Sequence, residues 1–376
     1  MNILFITTFY PTPEYPQYGI FIHELAKELK NLGNYIEVIN TVSNLEKDYE
    51  WDYEGIHIKY IGYKQFPTNY LSYPTSKKLS KTLMKLGKEY FDKFDVIHAH
   101  NCMPEGNAVR LLCKKLNKKY FIQIHGLDVY HNNYLKGNVF KRYYEKVCSN
   151  VYRDADKIIG VSGKVINNIN GFEDKKYVVY NGYNPKVFND DAKSIDEKNK
   201  IKIITVGNLI PIKGYIQLIE AIGKSKDKFN HEVEFNILGR GPLESTIKEM
   251  IVGLGLSDII KLRGYVPADK VSEQMRQCDF FVLPSYYEAL GCVYLEAMAC
   301  GLPVIACREQ GIEEILNDGV DSILCKPEDV ETLSDALIEL VNNDSKRENM
   351  ASEAEKNIER YTWKDAAEKL NEIYND

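Results

Sequence analysis

Residues 278–306 read CDFFVLPSYYEALGCVYLEAMACGLPVIA. The apolar run DFFVLPS has the character of a buried strand, LGCVYLEAMAC that of a helix, and LPVIAC that of a second strand. Strand, helix and strand in so short a span form a βαβ unit, which requires a parallel sheet. At the strand-to-helix turn the first amides of the helix, those of Leu290, Gly291, Cys292 and Val293, have no partners within it. Together with the helix dipole they suit a phosphate or pyrophosphate, and Gly291 removes the side chain where an anion must come close. Two carboxylates, Glu288 and Glu296, stand eight positions apart with only apolar or small residues between them. Spacing alone leaves two readings open. Either they grip hydroxyls on both sides of the phosphates, or Glu288 is a surface loop residue and Glu296 a helix-face charge.

The same alternation extends in both directions. NILFITTF, DVIHAH, YFIQIHG and KIIGVS read as buried strands, separated by amphipathic stretches such as IFIHELAKELKNLG. After the polar patch NDDAKSIDEKNK the series restarts with IKIITVGNL and EVEFNILG. Two such series predict two doubly wound α/β domains, over 1–185 and 186–359. The helical tail 360–376 is either a plain terminal helix or a clasp returning to the first domain. In such folds ligands bind beyond the C-terminal ends of the strands, here expected in the cleft between domains.

The 376 residues are too many for one ordinary core. With 44% hydrophobic and 27% charged residues the composition is globular. No apolar run reaches the about 18 residues of a membrane span, and MNILFITTFYPTPEY reads as a first strand, not a signal peptide. Eight scattered cysteines without a CxxC pair suit reduced structural thiols in a cytoplasmic protein. Residues 1–182 carry 25 Lys and Arg against 19 Asp and Glu, and the remainder 23 against 35, so charges of +6 and −12 make up the total of −6. The basic half either meets an acidic surface or partner or has an ordinary solvated face; nothing points to nucleic acid.

Four local patterns carry competing readings. In 75–94, TSKKLSKTLMKLGKEYFDKF, Leu79, Leu83, Leu86 and Tyr90 share one helical face, with Lys77, Lys78, Lys81, Lys85 and Lys88 mostly elsewhere. That suits a helix lying on an anionic membrane, or an ordinary surface helix. His98 and His100 project from one strand face and invite a metal, but no third ligand is evident. GRGPLE lacks the third glycine of a dinucleotide fingerprint and reads as a phosphate-side turn. Asp154 and Asp156 stand at a helix end before a strand, so no catalytic metal is expected.

The stretch 278–306 resembles the E-x7-E signature of glycosyltransferase family 4, retaining enzymes of the GT-B fold. YPQYGIFIHELAKEL, DVIHAHNCMPEGNA, IQIHGLDV, ADKIIGVS, VVYNGYNPKVF, VGNLIPIKGYIQLIEA, ILGRGPLE, LRGYV and EQGIEEIL match further blocks of that family in its order. The resemblance covers nearly the whole chain. It implies two Rossmann-like domains facing a central cleft. Gly19 would lie in the loop after the first strand, near the donor phosphate. His125 would be the sugar- and acceptor-side catalytic residue, with Asp128 beside it. Lys213 would bind the diphosphate and Glu288 the donor-sugar hydroxyls, and both count with His125 as catalytic. Glu296 would hold the ribose, with Ala289 and the residues 290–293 around the phosphates. The stretch from Arg263 through Gly264, Tyr265 and Val266 would line the base. Many members have Arg where this chain has Asn208, so leaving-group stabilisation would fall on Lys213 and the helix N-terminus.

What the resemblance implies is transfer of a hexose-type sugar from a nucleotide-diphosphate sugar, UDP by family frequency, to a hydroxyl of a glycan or lipid-linked acceptor. No cofactor and no metal are expected. Configuration would be retained by front-face reaction, the leaving phosphate oxygen taking the acceptor's proton. Glu288 and Glu296 are then binding groups, unlike the carboxylate pair of a hydrolase. Alternatives are a nucleotide-sugar epimerase or phosphorylase of similar fold, or a non-catalytic sugar-nucleotide-binding protein. The expected place is the cytoplasm, peripheral on the inner membrane face through 75–94.

Overall fold

The apolar runs of the sequence lie side by side as strands, and almost all of them pair in parallel. The computed structural model describes residues 1–64, 73–126, 138–189 and 200–376. The chain divides into two compact units, Met1–Asn181 with Trp363–Asp376, and Gly182–Thr362. The divisions thus fall at 181 and 363, not at 185 and 360. The reason is local: the Tyr183 amide donates to the Tyr361 carbonyl at 3.1 Å and Tyr183 bridges Thr362, which ties both crossing segments into the second unit.

The first unit is built on β1 (Asn2–Thr7), β2 (Tyr35–Ser43), β3 (Tyr49–Tyr53), β4 (Ile56–Tyr63), β5 (Val96–His100), β6 (Phe121–Ile124), β7 (Lys157–Gly160) and β8 (Lys176–Val178). Among the described residues their order is β3-β4-β2-β1-β5-β6-β7-β8. Only the β3–β4 pair is antiparallel. Ile3, Leu4, Phe5 and Ile6 are all fully buried, because a parallel strand covered by helices needs apolar side chains on both faces. The helix Ile20–Asn31 buries Ile22, Leu25, Ala26 and Leu29 along one stripe. Against it packs the helix Trp363–Asn375, which buries Trp363, Ala366, Ala367, Leu370, Ile373 and Tyr374. The tail is therefore the clasp, and it belongs to the first unit.

The segment 75–94 is not one continuous amphipathic helix. The helix Tyr73–Leu83 runs into a single tight turn, Met84–Leu86, stops at Gly87 with φ 82°, and restarts as Lys88–Phe91. Leu79 and Leu83 are buried in the unit's own core. Tyr90 is half-buried, and its hydroxyl donates to Glu37 Oε1 at 2.5 Å. Half of the apolar stripe expected to enter a membrane is thus already covered, Leu86 and Tyr90 being half-buried, while Lys77, Lys81, Lys85 and Lys88 remain exposed. No helix among the described residues is long and apolar enough to cross a membrane.

The second unit holds β9 (Lys200–Val206), β10 (Glu232–Leu238), β11 (Ile260–Gly264), β12 (Phe280–Val282), β13 (Val304–Cys307) and β14 (Ser322–Cys325). The order is β11-β10-β9-β12-β13-β14, all parallel. This is the Rossmann order, which reverses direction between β9 and β12, the switch point at which such sheets bind ligands. In the first unit the corresponding reversal lies between β1 and β5.

Candidate active site

At the reversal point of the second unit two loops meet, Gly207–Gly214 after β9 and Leu283–Gly291 after β12. The Tyr286 amide donates to the Ile212 carbonyl at 3.0 Å and joins them. Each loop contributes one charge, and the Lys213 ammonium donates to Glu288 Oε2. The pair is mostly shielded, the side chains being 18% and 14% exposed. Two residues expected to grip different parts of one ligand are therefore each other's partners. Glu288 is held from behind as well: its amide donates to Gln310 Oε1 at 2.9 Å, and the Gly311 amide donates back to the Glu288 carbonyl at 3.1 Å. Gln310 is buried. The sequence did place it in a matching block, EQGIEEIL, but only the fold brings it under Glu288.

The helix Cys292–Ala299 starts immediately beyond. Its N-cap, Gly291, has φ 89° and makes no side-chain cap hydrogen bond. A Cβ at Gly291 would stand 2.7 Å from the Tyr294 ring and 3.0 Å from Glu288 Cγ. Glycine is needed there both for the left-handed backbone and for space. The Tyr294 hydroxyl donates to the Leu283 carbonyl at 2.7 Å and pins the helix start to the end of β12. Leu290 is buried, while Ala289, Cys292 and Val293 are half-buried. Glu296 lies one turn further along the same helix. Burial pushes its carboxyl up from 4.5 to about 7, since a charge denied water favours its neutral form.

The β10 loop adds a third wall. The Leu209 amide donates to the Arg240 carbonyl at 2.9 Å and the Leu243 amide to the Leu209 carbonyl at 3.1 Å. GRGPLE is thus a turn laid against the β9 loop. Asn208, in that loop, is exposed. On the next strand the Gly264 carbonyl accepts from the Gly239 amide at 2.8 Å. Tyr265 is exposed with the Arg240 guanidinium 5.6 Å from its ring centre, and Val266 is half-buried. Arg263 is engaged across the sheet, with Asn236 Oδ1 at 2.7 Å and Glu234 at 3.2 Å.

In the first unit the loop after β1 closes on itself. Gly19 has φ 65°, and a Cβ there would stand 2.4 Å from the Phe9 carbonyl. The Thr8 hydroxyl donates to Glu105, on the loop that follows β5. His125 follows β6, half-buried, with its Nε2 3.0 Å from His100 Nδ1. Burial pushes His125 down to about 3, so the ring is neutral at ordinary pH. His98 bonds through Nδ1 to the Tyr374 hydroxyl of the terminal helix. The histidines of HAH therefore have protein partners, and no group of three or more potential metal ligands exists among the described residues. Asp154 pairs with Arg110 at 2.6 Å, and Asp156 accepts from the Tyr120 amide at 3.1 Å; both serve the local structure. Asp128 lies outside the described residues.

Two family models cover this arrangement. Residues 187–357 match Glycosyl transferases group 1, and residues 19–187 match Glycosyltransferase Family 4. The chain belongs to the family 4 glycosyltransferases. An uncharacterized glycosyltransferase of Methanocaldococcus jannaschii is 32% identical over 294 residues, 77% of this chain and 78% of its own. The D-inositol 3-phosphate glycosyltransferase of Corynebacterium urealyticum is 25% identical over 371 residues, 93% and 83% of the two chains. The HepE protein of Anabaena, solved in complex with UDP, is similar with a TM-score of 0.78 at 19% identity, over 100% of both chains. Two Rossmann-like domains of this kind make up the GT-B fold, and at that identity the likeness concerns the fold alone.

Proposed function

We propose that this glycosyltransferase moves a hexose-type sugar from a UDP-sugar to a hydroxyl group, with retention of configuration. The observation that carries the reading is the Lys213–Glu288 pair beside the glycine-led start of the helix that bears Glu296. It offers a cation and backbone dipoles for a diphosphate, flanked by two carboxylates for hydroxyls. A diphosphate arriving at the helix start takes over Lys213, which frees Glu288 to accept from sugar hydroxyls. Glu296 accepts from the ribose pair. The C1–O bond to the β-phosphate breaks, and the new C1–O bond forms on the same face. The leaving phosphate oxygen takes the acceptor's proton. Preorganised donors aimed at that oxygen typically contribute about 3–4 kcal/mol each. HepE, whose structures hold UDP or UDP and glucose, supports the choice of UDP.

The reading needs no metal. Calorimetric titration in EDTA tests it: UDP binds, and GDP binds more weakly. Loss of all UDP binding on chelation refutes it. A panel of UDP-hexoses, with nucleoside diphosphate release as the readout, then gives the sugar, and NMR of the product's anomeric carbon gives the stereochemistry.

The acceptor proposed is glycan or lipid-linked, reached from the cytoplasmic membrane face. The +6 charge of residues 1–182 and the exposed Lys77, Lys81, Lys85 and Lys88 support this. With Leu79 and Leu83 buried, attraction is mainly electrostatic, at about 1 kcal/mol per lysine near an anionic surface. Flotation with anionic vesicles that weakens steeply with salt is expected, and protein left at the bottom of a low-salt gradient rules it out.

A further inference from the structure

Glu288 can serve a sugar only if its main chain stays in place while its carboxylate turns away from Lys213. The loop that follows β13 supplies that hold. Both main-chain polar groups of Glu288 are engaged there: its amide donates to Gln310 Oε1 at 2.9 Å, and its carbonyl accepts from the Gly311 amide at 3.1 Å. Gln310 is 4% exposed, and its Nε2 donates to the Arg308 carbonyl at 3.1 Å. Its side-chain amide is thus braced through both its oxygen and its nitrogen, and turning it breaks hydrogen bonds of a buried polar group. Arg308 in turn prolongs the pairing of β13 with β14, its own amide donating to the Cys325 carbonyl at 2.8 Å. On the other side the Glu288 loop is tied to the β9 loop by the Tyr286 amide. Every group in this chain of support belongs to the second unit.

The backbone between Arg308 and Gln310 is unusual. Glu309 has φ 61°, in the left-handed region that is disfavoured for every residue but glycine. Such a conformation persists only where its surroundings enforce it, and here it lies in the turn that brings the Gln310 side chain to the Glu288 amide. We propose that Gln310 is a positioning residue for sugar transfer. It fixes the Glu288 main chain, so that when a diphosphate takes Lys213 only the Glu288 side chain turns, and its carboxylate meets the donor-sugar hydroxyls. The proposal rests on the reading of Glu288 as the group that accepts from those hydroxyls. A carboxylate on a fixed main chain has only its own rotamers to settle, whereas one on a loose loop must also be ordered at each turnover. The nucleotide, met by Lys213, the helix start and Glu296, does not depend on this hold.

Gln310→Met, close to glutamine in length but without its amide, tests it in the full chain, with the UDP-hexose that wild type turns over fastest. Turnover is expected to fall about tenfold, the scale of one lost hydrogen bond, while UDP affinity in calorimetry is unchanged. In a Glu288→Ala background the same substitution is expected to leave the residual turnover where it was, because Gln310 acts only through the Glu288 carboxylate. Unchanged turnover in Gln310→Met overturns the proposal. So does an equal fall in both backgrounds, which marks a general structural role, and so does a parallel loss of UDP affinity. Should Gln310→Met fail to fold, amide exchange of Glu288 in wild type, followed by NMR, decides. Slow exchange with and without bound UDP is expected; exchange as fast as in an open loop in either state overturns the proposal. If wild type turns over no UDP-hexose, the reading of the site fails and the proposal with it. An active wild type matched by Gln310→Met defeats the proposal alone.

Discussion

Glu296→Gln separates folding from binding at the site. The Glu296 carboxyl is pushed from 4.5 up to about 7 by burial. The folded state therefore holds its proton more tightly than the unfolded state, and stability falls as pH rises between those two values. At about 1.36 kcal/mol per pH unit, and allowing for the part of the residue that still reaches solvent, the loss is about 2–3 kcal/mol. Glutamine cannot ionise and escapes it. Denaturant unfolding followed by far-UV circular dichroism is therefore expected to show wild type and variant nearly equal at pH 4.5. At pH 8 the variant is the more stable by about 2–3 kcal/mol. Nucleotide binding moves the other way. An ionised carboxylate accepts from both ribose hydroxyls, whereas an amide oxygen competes less well, so UDP affinity is expected to fall about tenfold. Because the ribose selects the ionised form, wild-type affinity rises with pH up to about 7 more steeply than that of the variant, which corrects for titration of the phosphate. A stability difference that does not change with pH refutes the desolvation argument. A variant that is stabilised yet binds UDP as well as wild type refutes the ribose assignment.

Lys213→Ala is expected to cut turnover about 100-fold, the scale of one lost electrostatic donor, whereas Asn208→Arg, at an exposed position, is tolerated; steady-state kinetics check both. Combined with Glu288→Ala in a double-mutant cycle, Lys213→Ala should give stability effects that are not additive, because each residue is the other's partner in the free enzyme. Gly291→Ala is expected to destabilise by about 1–2 kcal/mol from the left-handed backbone alone, and to weaken UDP binding in calorimetry as the helix start shifts away from Tyr294. A chain ending at Thr362 loses Trp363, Leu370 and Ile373, each worth about 1.5–3 kcal/mol of burial. Scanning calorimetry is expected to lose the first unit's transition, while the truncated protein still binds UDP.

The alternation of apolar runs with amphipathic stretches determined the two α/β series, because period and run length are local properties of the chain. The E-x7-E spacing likewise placed Glu288 before a helix and Glu296 on it, since the strand-turn-helix reading is itself local. What lay beyond the sequence were meetings between distant segments. Lys213 and Glu288 are 75 residues apart in the chain and paired across the reversal point of the sheet. Gln310 reaches Glu288 from the following loop, and His100 reaches His125 only because β5 and β6 are neighbours. The segment 75–94 is the instructive contrast. Its periodicity, with Leu79 and Leu83 on one side and the lysines mostly on the other, fits a membrane-lying helix and a core-packed one equally well. A helical stripe records that a face is buried and carries no information about what buries it. That was decided by the packing of the first unit, which takes Leu79 and Leu83 into its own core and leaves Lys77, Lys81, Lys85 and Lys88 exposed.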